Sequence, residues 1–175
     1  MAAARGVRSV VGRAVGTLIE DQWCDVAERA DAAGARLASH LLGMQAKTPV
    51  TLVGYGHGAR VVMACLLALG RSADGRGIVE DCVMMGCTAH PYPADWKAAR
   101  QVVAGRFVNA FCASDTLLSR RPSLPGLVPA AGVGAAKVGG IVDVDMAWLK
   151  PSGRRTYADY RGKLAECLCK VGFEV

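Results

Sequence analysis

The run V-T-L-V-G-Y-G-H-G-A-R-V-V at residues 50–62 constrains this chain more than any other feature. It opens as Val50-Thr51-Leu52-Val53, a charge-free, β-branched stretch of the kind that fills a buried strand. It passes through Gly54, Gly56 and Gly58, then continues as an apolar helix from Ala59 to Leu69, closed by Gly70. A strand that runs through a tight glycine turn straight into a helix is half of a βαβ unit. Its apolar surfaces are buried only where more sheet lies alongside, so the run selects an α/β fold.

The rest of the chain supplies that sheet. Residues 16–43 carry Leu18, Trp23, Val26, Ala27, Ala30, Ala33, Leu37 and Leu41 at nearly helical spacing, and Thr48-Pro49 ends the pattern. After a polar turn at 72–77, a second strand is expected over 78–87. A loop containing His90-Pro91-Tyr92-Pro93 follows, then a helix over 95–103 opened by Ala94 or Asp95. A third strand over 106–112 leads to Ser114-Asp115. Residues 120–139, rich in Pro, Gly and Ala, read as an irregular excursion, either a contact surface or a solvated loop. A fourth strand over 141–146 and a helix over 157–171 complete the chain. Strands separated by helices imply right-handed crossovers and a parallel sheet of about four strands with flanking helices. The 175 residues suffice for one core. The expected division is an N-terminal extension or targeting-like segment at 1–15 and one domain at 16–175.

The glycine turn admits two chemistries. In the nucleophile elbow, G-x-S-x-G, a sharp strand-to-helix turn presents a hydroxyl at the top of the sheet. Gly54 and Gly58 then take the flanking places, where the turn leaves little room for side chains. Gly56 takes the central one, adopting the strained backbone without offering a nucleophile. Alternatively, Gly54-x-Gly56-x-x-Ala59 is a dinucleotide fingerprint. That reading needs an acid at the end of the next strand, where this chain has Gly86-Cys87.

Several ordered segments beyond the turn carry a family resemblance. P-V-T-L-V-G-Y-G-H-G-A-R-V-V at 49–62 is preceded by L-I-E-D-Q-W at 18–23 and E-R-A-D-A-A-G at 28–34. It is followed by G-I-V-E-D-C-V-M-M-G at 77–86, D-W-K-A-A-R at 95–100, G-R-F-V-N-A-F at 105–111 and D-Y-R-G-K-L at 159–164. Across roughly residues 12–173 the chain resembles the α/β-hydrolases of the domain-of-unknown-function group that includes transmembrane and coiled-coil domain protein four. The resemblance implies a truncated α/β-hydrolase-like domain in which the family serine falls on Gly56, the acid on Asp115 and the histidine on Tyr157. With hydroxyl and imidazole both missing, acyl transfer has no covalent route. Substitutes would be Ser114 or Cys87 as nucleophile and His90 as base. His57 reads as a polar cap or contact, and Asp115 as a loop carboxylate or helix cap. Full-length members carry strands and an oxyanion loop before the elbow strand, so here that strand would have a neighbour on one side only, the strand at 78–87. An apolar edge of this kind invites association. Another chain, the N-terminal segment or a second copy would have to cover it, and a partner chain near Val50, Leu52 and Val53 is expected.

Composition narrows the remainder. Hydrophobic residues make up 52% and charged residues 21%, which indicates a packed globule rather than disorder. The 21 basic and 15 acidic residues are interspersed, with only short doublets at Arg120-Arg121 and Arg154-Arg155, so no nucleic-acid stripe is expected. The 7 cysteines form no C-x-x-C pair, and Cys167 and Cys169 are one residue apart. Cys65, Cys82 and Cys112 sit in apolar runs as small hydrophobes. A reducing compartment, no metal site and no cofactor are expected. No apolar run is long enough to span a membrane, so membrane association is expected only through partners. The first 19 residues hold Arg5, Arg8 and Arg13 and no acid, which fits a mitochondrial transit peptide or an amphipathic helix; the other location is cytoplasmic. Trp23, Trp96 and Trp148 are expected as core or interface anchors. The functional expectation is a non-catalytic structural or interaction subunit of a larger, mitochondrial assembly. The alternatives are an unorthodox serine or cysteine esterase or lipase, and a dinucleotide-binding module.

Overall fold

The computed structural model describes residues 2–44, 48–119, 129–149, 160 and 162–173, with side chains from residue 22 onward. Tyr157 and the two arginine doublets lie outside the described residues. The elements are α1 (Ala2–Gly43), β1 (Val50–Tyr55), α2 (His57–Leu69), β2 (Val79–Met85), α3 (Pro93–Arg100), β3 (Phe107–Phe111), α4 (Thr116–Ser119), β4 (Ile141–Asp145) and α5 (Leu164–Lys170), with 3-10 turns at Ala131–Val133 and Ala147–Leu149. The strands form the expected four-stranded parallel sheet, in the order β1-β2-β3-β4.

Several boundaries move for local reasons. Helix α1 starts at Ala2 rather than residue 16. The second strand stops at Met85 because Gly86, at φ 54°, turns the chain out of the ladder. Helix α3 starts at Pro93, whose fixed φ suits a first helical position. The Asp95 carboxylate accepts the Tyr92 N–H at 2.7 Å and so ties down the helix entry. The last helix is described as Leu164–Lys170, with Tyr160 and Gly162 also helical.

When strand order follows chain order, crossovers of one hand place every connecting segment on the same face of the sheet. On that inner face, Cys82, Met84 and Phe107 pack under Val62, Leu66 and Leu69 of α2 and Trp96 and Ala99 of α3. Trp96 is thus a core anchor, as expected. Helix α1 lies against α2. Its buried stripe is Ala27, Ala30, Gly34, Ala38 and Leu41, while Val26 and Ala33, expected to be inside, are exposed. Gly34 sets this phase: a Cβ there would sit 2.5 Å from both Ala64 Cβ and the Val61 carbonyl oxygen. The helices approach through a glycine, and larger residues on either side are rotated outward.

The segment 129–139, read as a contact surface or solvated loop, is instead part of the inner core. Ala131 is buried, and Ala136 and Val138 pack against the cluster. The Asp143 carboxylate fastens the segment by accepting the Ala136 and Lys137 N–H groups at 2.8 and 3.0 Å. Asn109 Nδ2 donates to the Gly134 carbonyl and to Asp143 Oδ1.

Among the described residues, the outer face is covered at its two central strands. Val83, Met85, Val108 and Ala110 pack under Met146, Leu149, Tyr160 and Cys167 of α5. A helix is roughly 10–12 Å wide, and strands lie about 4.8 Å apart, so one helix covers about two strands. Register aligns Val53, Val83, Val108 and Val142 in one row across the sheet. The central pair is buried, whereas Val53 is 42% and Val142 53% exposed.

Candidate functional site

The carboxyl ends of the strands gather the residues singled out by the sequence. At the end of β1, Gly56 is buried with φ 57° and ψ −123°, a conformation that side chains with a Cβ rarely adopt. Its N–H donates to the Met85 carbonyl at 2.8 Å, and its own carbonyl accepts the Arg60 N–H at 3.2 Å. The turn is therefore fixed to the neighbouring strand and to the first turn of α2. Gly54 is demanded by space, since a Cβ there would meet the Gly58 carbonyl oxygen at 2.7 Å and the Ala59 nitrogen at 2.8 Å. Gly58, expected to be equally crowded, is not: a Cβ at that position meets nothing within 4 Å. His57 fulfils its expected contact role. Its Nδ1 lies 3.1 Å from the hydroxyl of buried Thr88, and its ring centre is 4.3 Å from that of Trp23.

Asp115, following β3, is fully buried and caps α4. Its Oδ1 accepts the N–H groups of Leu117 and Leu118 at 2.8 and 2.9 Å. Oδ2 is buried without a hydrogen-bond partner among the described residues, and so is the hydroxyl of Tyr160. Burial holds the Tyr160 phenol above its ordinary range, and Cys112, Cys167, Asp115 and Asp145 push it the same way. The Tyr160 ring sits against the strand end at Gly86, where a Cβ would come within 3.0 Å of Cε2. Neither Thr88 nor Tyr160 was singled out from the sequence as a site residue. Tyr160 belongs to the D-Y pair of the terminal motif, but nothing in that motif signals a fully buried phenol.

The substitute nucleophiles are differently placed. Cys87 is fully buried, and burial pushes its thiol up to about 12, which suppresses the thiolate. Ser114 is half-buried, its hydroxyl 3.3 Å from Cys112 Sγ. His90 lines a cavity of about 300 Å³ between α1, α2 and the start of α3, together with Asp31, Arg60 and Asp95. There the Arg60 guanidinium donates to both oxygens of Asp31, at 2.8 and 2.6 Å, and this pairing raises its pKa. After β2 the chain continues as Gly86-Cys87-Thr88-Ala89, buried and without a carboxylate for a ribose. Among the described residues, no cluster of His, Cys, Asp and Glu is arranged to hold a metal ion, and no helix is long and apolar enough to cross a membrane.

The profile of a family described as "Protein of unknown function (DUF726)" matches residues 10–174. The chain is 39% identical over 155 residues to the transmembrane and coiled-coil domain-containing protein STS1 of Oryza sativa subsp. japonica, covering 86% of this chain and 23% of that protein. It is 35% identical over 168 residues to an uncharacterized membrane protein of Schizosaccharomyces pombe, covering 92% and 21%. It is 28% identical over 165 residues to the probable lipase MIL1 of Saccharomyces cerevisiae, covering 92% and 15%. The chain thus spans less than a quarter of the length of these relatives. No solved structure matches it.

Proposed function

The chain belongs to the DUF726 family, and from that premise we propose that it is a pseudo-hydrolase, an α/β-hydrolase-like domain that has lost its nucleophile and acts as a structural or interaction subunit of a larger assembly. One observation carries this reading: the position that would present the nucleophile is Gly56, held at φ 57° and ψ −123° at the strand-to-helix turn. The backbone geometry that lifts a side chain above the sheet is there, and the side chain is a hydrogen. Two further features support it. Asp115 caps α4 through Oδ1 while its Oδ2 meets no hydrogen-bond donor among the described residues, and Cys87 is too deeply buried and too weakly acidic to replace a serine. The open β1 edge near Val50, Leu52 and Val53 is the surface proposed to meet other protein. A mitochondrial assembly is the proposed setting, supported by the arginine-bearing, acid-free N-terminal sequence.

A second reading is favoured by the likeness to a probable lipase: ester hydrolysis with Ser114 as nucleophile and His90 as base. Both readings are tested with p-nitrophenyl esters of short and long acyl chains. The pseudo-hydrolase reading expects no turnover above background from the wild type or from Gly56→Ser, because a hydroxyl without a base is not activated. Wild-type turnover that disappears in both Ser114→Ala and His90→Ala would establish the second reading instead.

A further inference from the structure

The cavity of about 300 Å³ between α1, α2 and the start of α3 is lined by neither Gly56 nor Asp115, and its charges follow a pattern of their own. Its floor is one stripe of α2, made of Arg60, Ala64, Leu67, Ala68 and Arg71. The two arginines are about three helical turns apart. Arg71 therefore returns to within about 20° of Arg60 around the helix and lies roughly 16 Å further along it. Between them the stripe is apolar and its side chains are small. Two carboxylates also reach the cavity, and both are engaged. Asp31 accepts from Arg60 Nε and Nη2 through its two oxygens, at 2.8 and 2.6 Å. Asp95 accepts the Tyr92 N–H at 2.7 Å. His90, on the wall, has contacts of its own. The groups left unused are donors: among the described residues, neither Arg60 Nη1 nor the Arg71 guanidinium meets an acceptor.

A guanidinium is permanently charged, and its planar fork suits a carboxylate. Cation, apolar stripe, cation is the complement of a molecule built as acid, apolar spacer, acid. Other occupants fit less well. A compact anion cannot reach across three turns and leaves the apolar floor wet. A single-ended acid leaves one guanidinium without a counter-charge. A partner helix, roughly 10–12 Å across with its side chains, is too bulky for a space at the small end of ligand pockets. We propose that this cavity binds a small α,ω-dicarboxylate, one carboxylate on Arg60 and the other on Arg71, with its methylene chain over Ala64, Leu67 and Ala68. The site is independent of the pseudo-hydrolase reading, because the nucleophile position takes no part in it.

The test titrates suberate into the isotope-labelled full chain and follows backbone amide shifts by NMR. Shifts are expected along α2 and at residues 89–91, with a Kd near or below about 1 mM. Octanoate, with the same chain length and one acid, is expected to bind at least about tenfold more weakly. Arg71→Gln, at an exposed residue, is expected to weaken suberate by about tenfold and to bring it level with octanoate. Ala35→Trp, at an exposed cavity-lining position of α1, is expected to fill the space and abolish the shifts with the circular dichroism spectrum unchanged; should it misfold, Arg71→Gln decides alone. Equal affinities for suberate and octanoate, an unchanged affinity in Arg71→Gln, or no shift at the cavity with millimolar suberate overturns the proposal. Sulfate reproducing the suberate shifts at equal concentration overturns it as well, since that would be ordinary screening of two guanidiniums.

Discussion

Between β2 and β3, the inner face sets Met84 and Phe107 against α2 and α3, while the outer face sets Val83, Met85, Val108 and Ala110 against Met146, Leu149, Tyr160 and α5. The side chains are of one kind, and at the two central strands both faces are sealed. They differ at the edges. On β1, the inward Val50 and Leu52 are half-buried and Gly54 is buried, while Thr51, Val53 and Tyr55 on the other face are exposed. Connectivity produces this asymmetry, not composition. Crossovers of one hand in a sheet built in chain order send every connection to one side, leaving the other to whatever follows the last strand. The inner face is where this domain is held together, and the margins of the outer face are where it has surface left to give.

Substitutions that sharpen this contrast should spread over a wide range. The largest loss is expected on the inner face: Leu66→Ala, at a fully buried residue of α2, should cost about 2–5 kcal/mol in urea-induced unfolding. A cost below about 1 kcal/mol would mean that the α2–sheet interface is looser than described. Next comes Gly56→Ala, which forces a Cβ into φ 57°, ψ −123° and should cost about 1–3 kcal/mol by the same measurement. At the end of β3, Asp115→Ala removes the acceptor for Leu117 and Leu118 and should cost about 1 kcal/mol.

The two faces should also respond together to alkali. Burial raises the Cys82 and Cys87 thiols, Cys87 to about 12, and the Tyr160 phenol. In the unfolded chain these groups lose protons from about pH 9 for the thiols and about pH 10 for the phenol. Above those values the unfolded state binds fewer protons than the folded one, so stability falls as pH rises. Thermal melts from pH 7 to 11 should show the midpoint dropping above about pH 9. Tyr160→Phe should lessen the drop above pH 10 and at neutral pH should remain within about 1 kcal/mol of wild type, because it removes a buried hydroxyl that has no partner among the described residues. The smallest effect belongs to the outer margin: Val142→Ala, at a side chain 53% exposed, should change stability by less than about 0.5 kcal/mol. A large loss there would show that the margin is covered after all.

The sheet was legible because buried parallel strands announce themselves. Val50-Thr51-Leu52-Val53 and Cys82-Val83-Met84-Met85 are uncharged, largely apolar stretches closed by glycines, and a helical pattern separates them. Phase along a helix was harder to read. Val26 and Ala33 fit the apolar spacing as well as Ala27 and Gly34 do, and only the close approach of α2 at Ala64 decides between them. The segment 129–139 misled for a related cause: its small residues read as a solvated excursion, but smallness is what lets Gly132 pass 2.5–2.7 Å, measured from a would-be Cβ, from the backbone at Gly86 and Cys87. At the site, Gly56 and the capping role of Asp115 followed from motif and residue type. The burial of Tyr160 did not, because it arises from contacts between segments far apart in the chain.

The strand order has one more consequence, in time rather than in space. Each strand lies beside the one that precedes it in the chain, so during synthesis every new strand docks onto a surface that already exists. At about 5–20 residues per second, β2 leaves the ribosome roughly 3–12 s before β4, and β1 earlier still. Through that interval the nascent sheet displays β1 on one flank and a still-unpaired β2 or β3 on the other. The later flank is closed by the chain's own growth. The earlier one pairs with no further strand among the described residues, and none of the strands that follow it in the chain closes it.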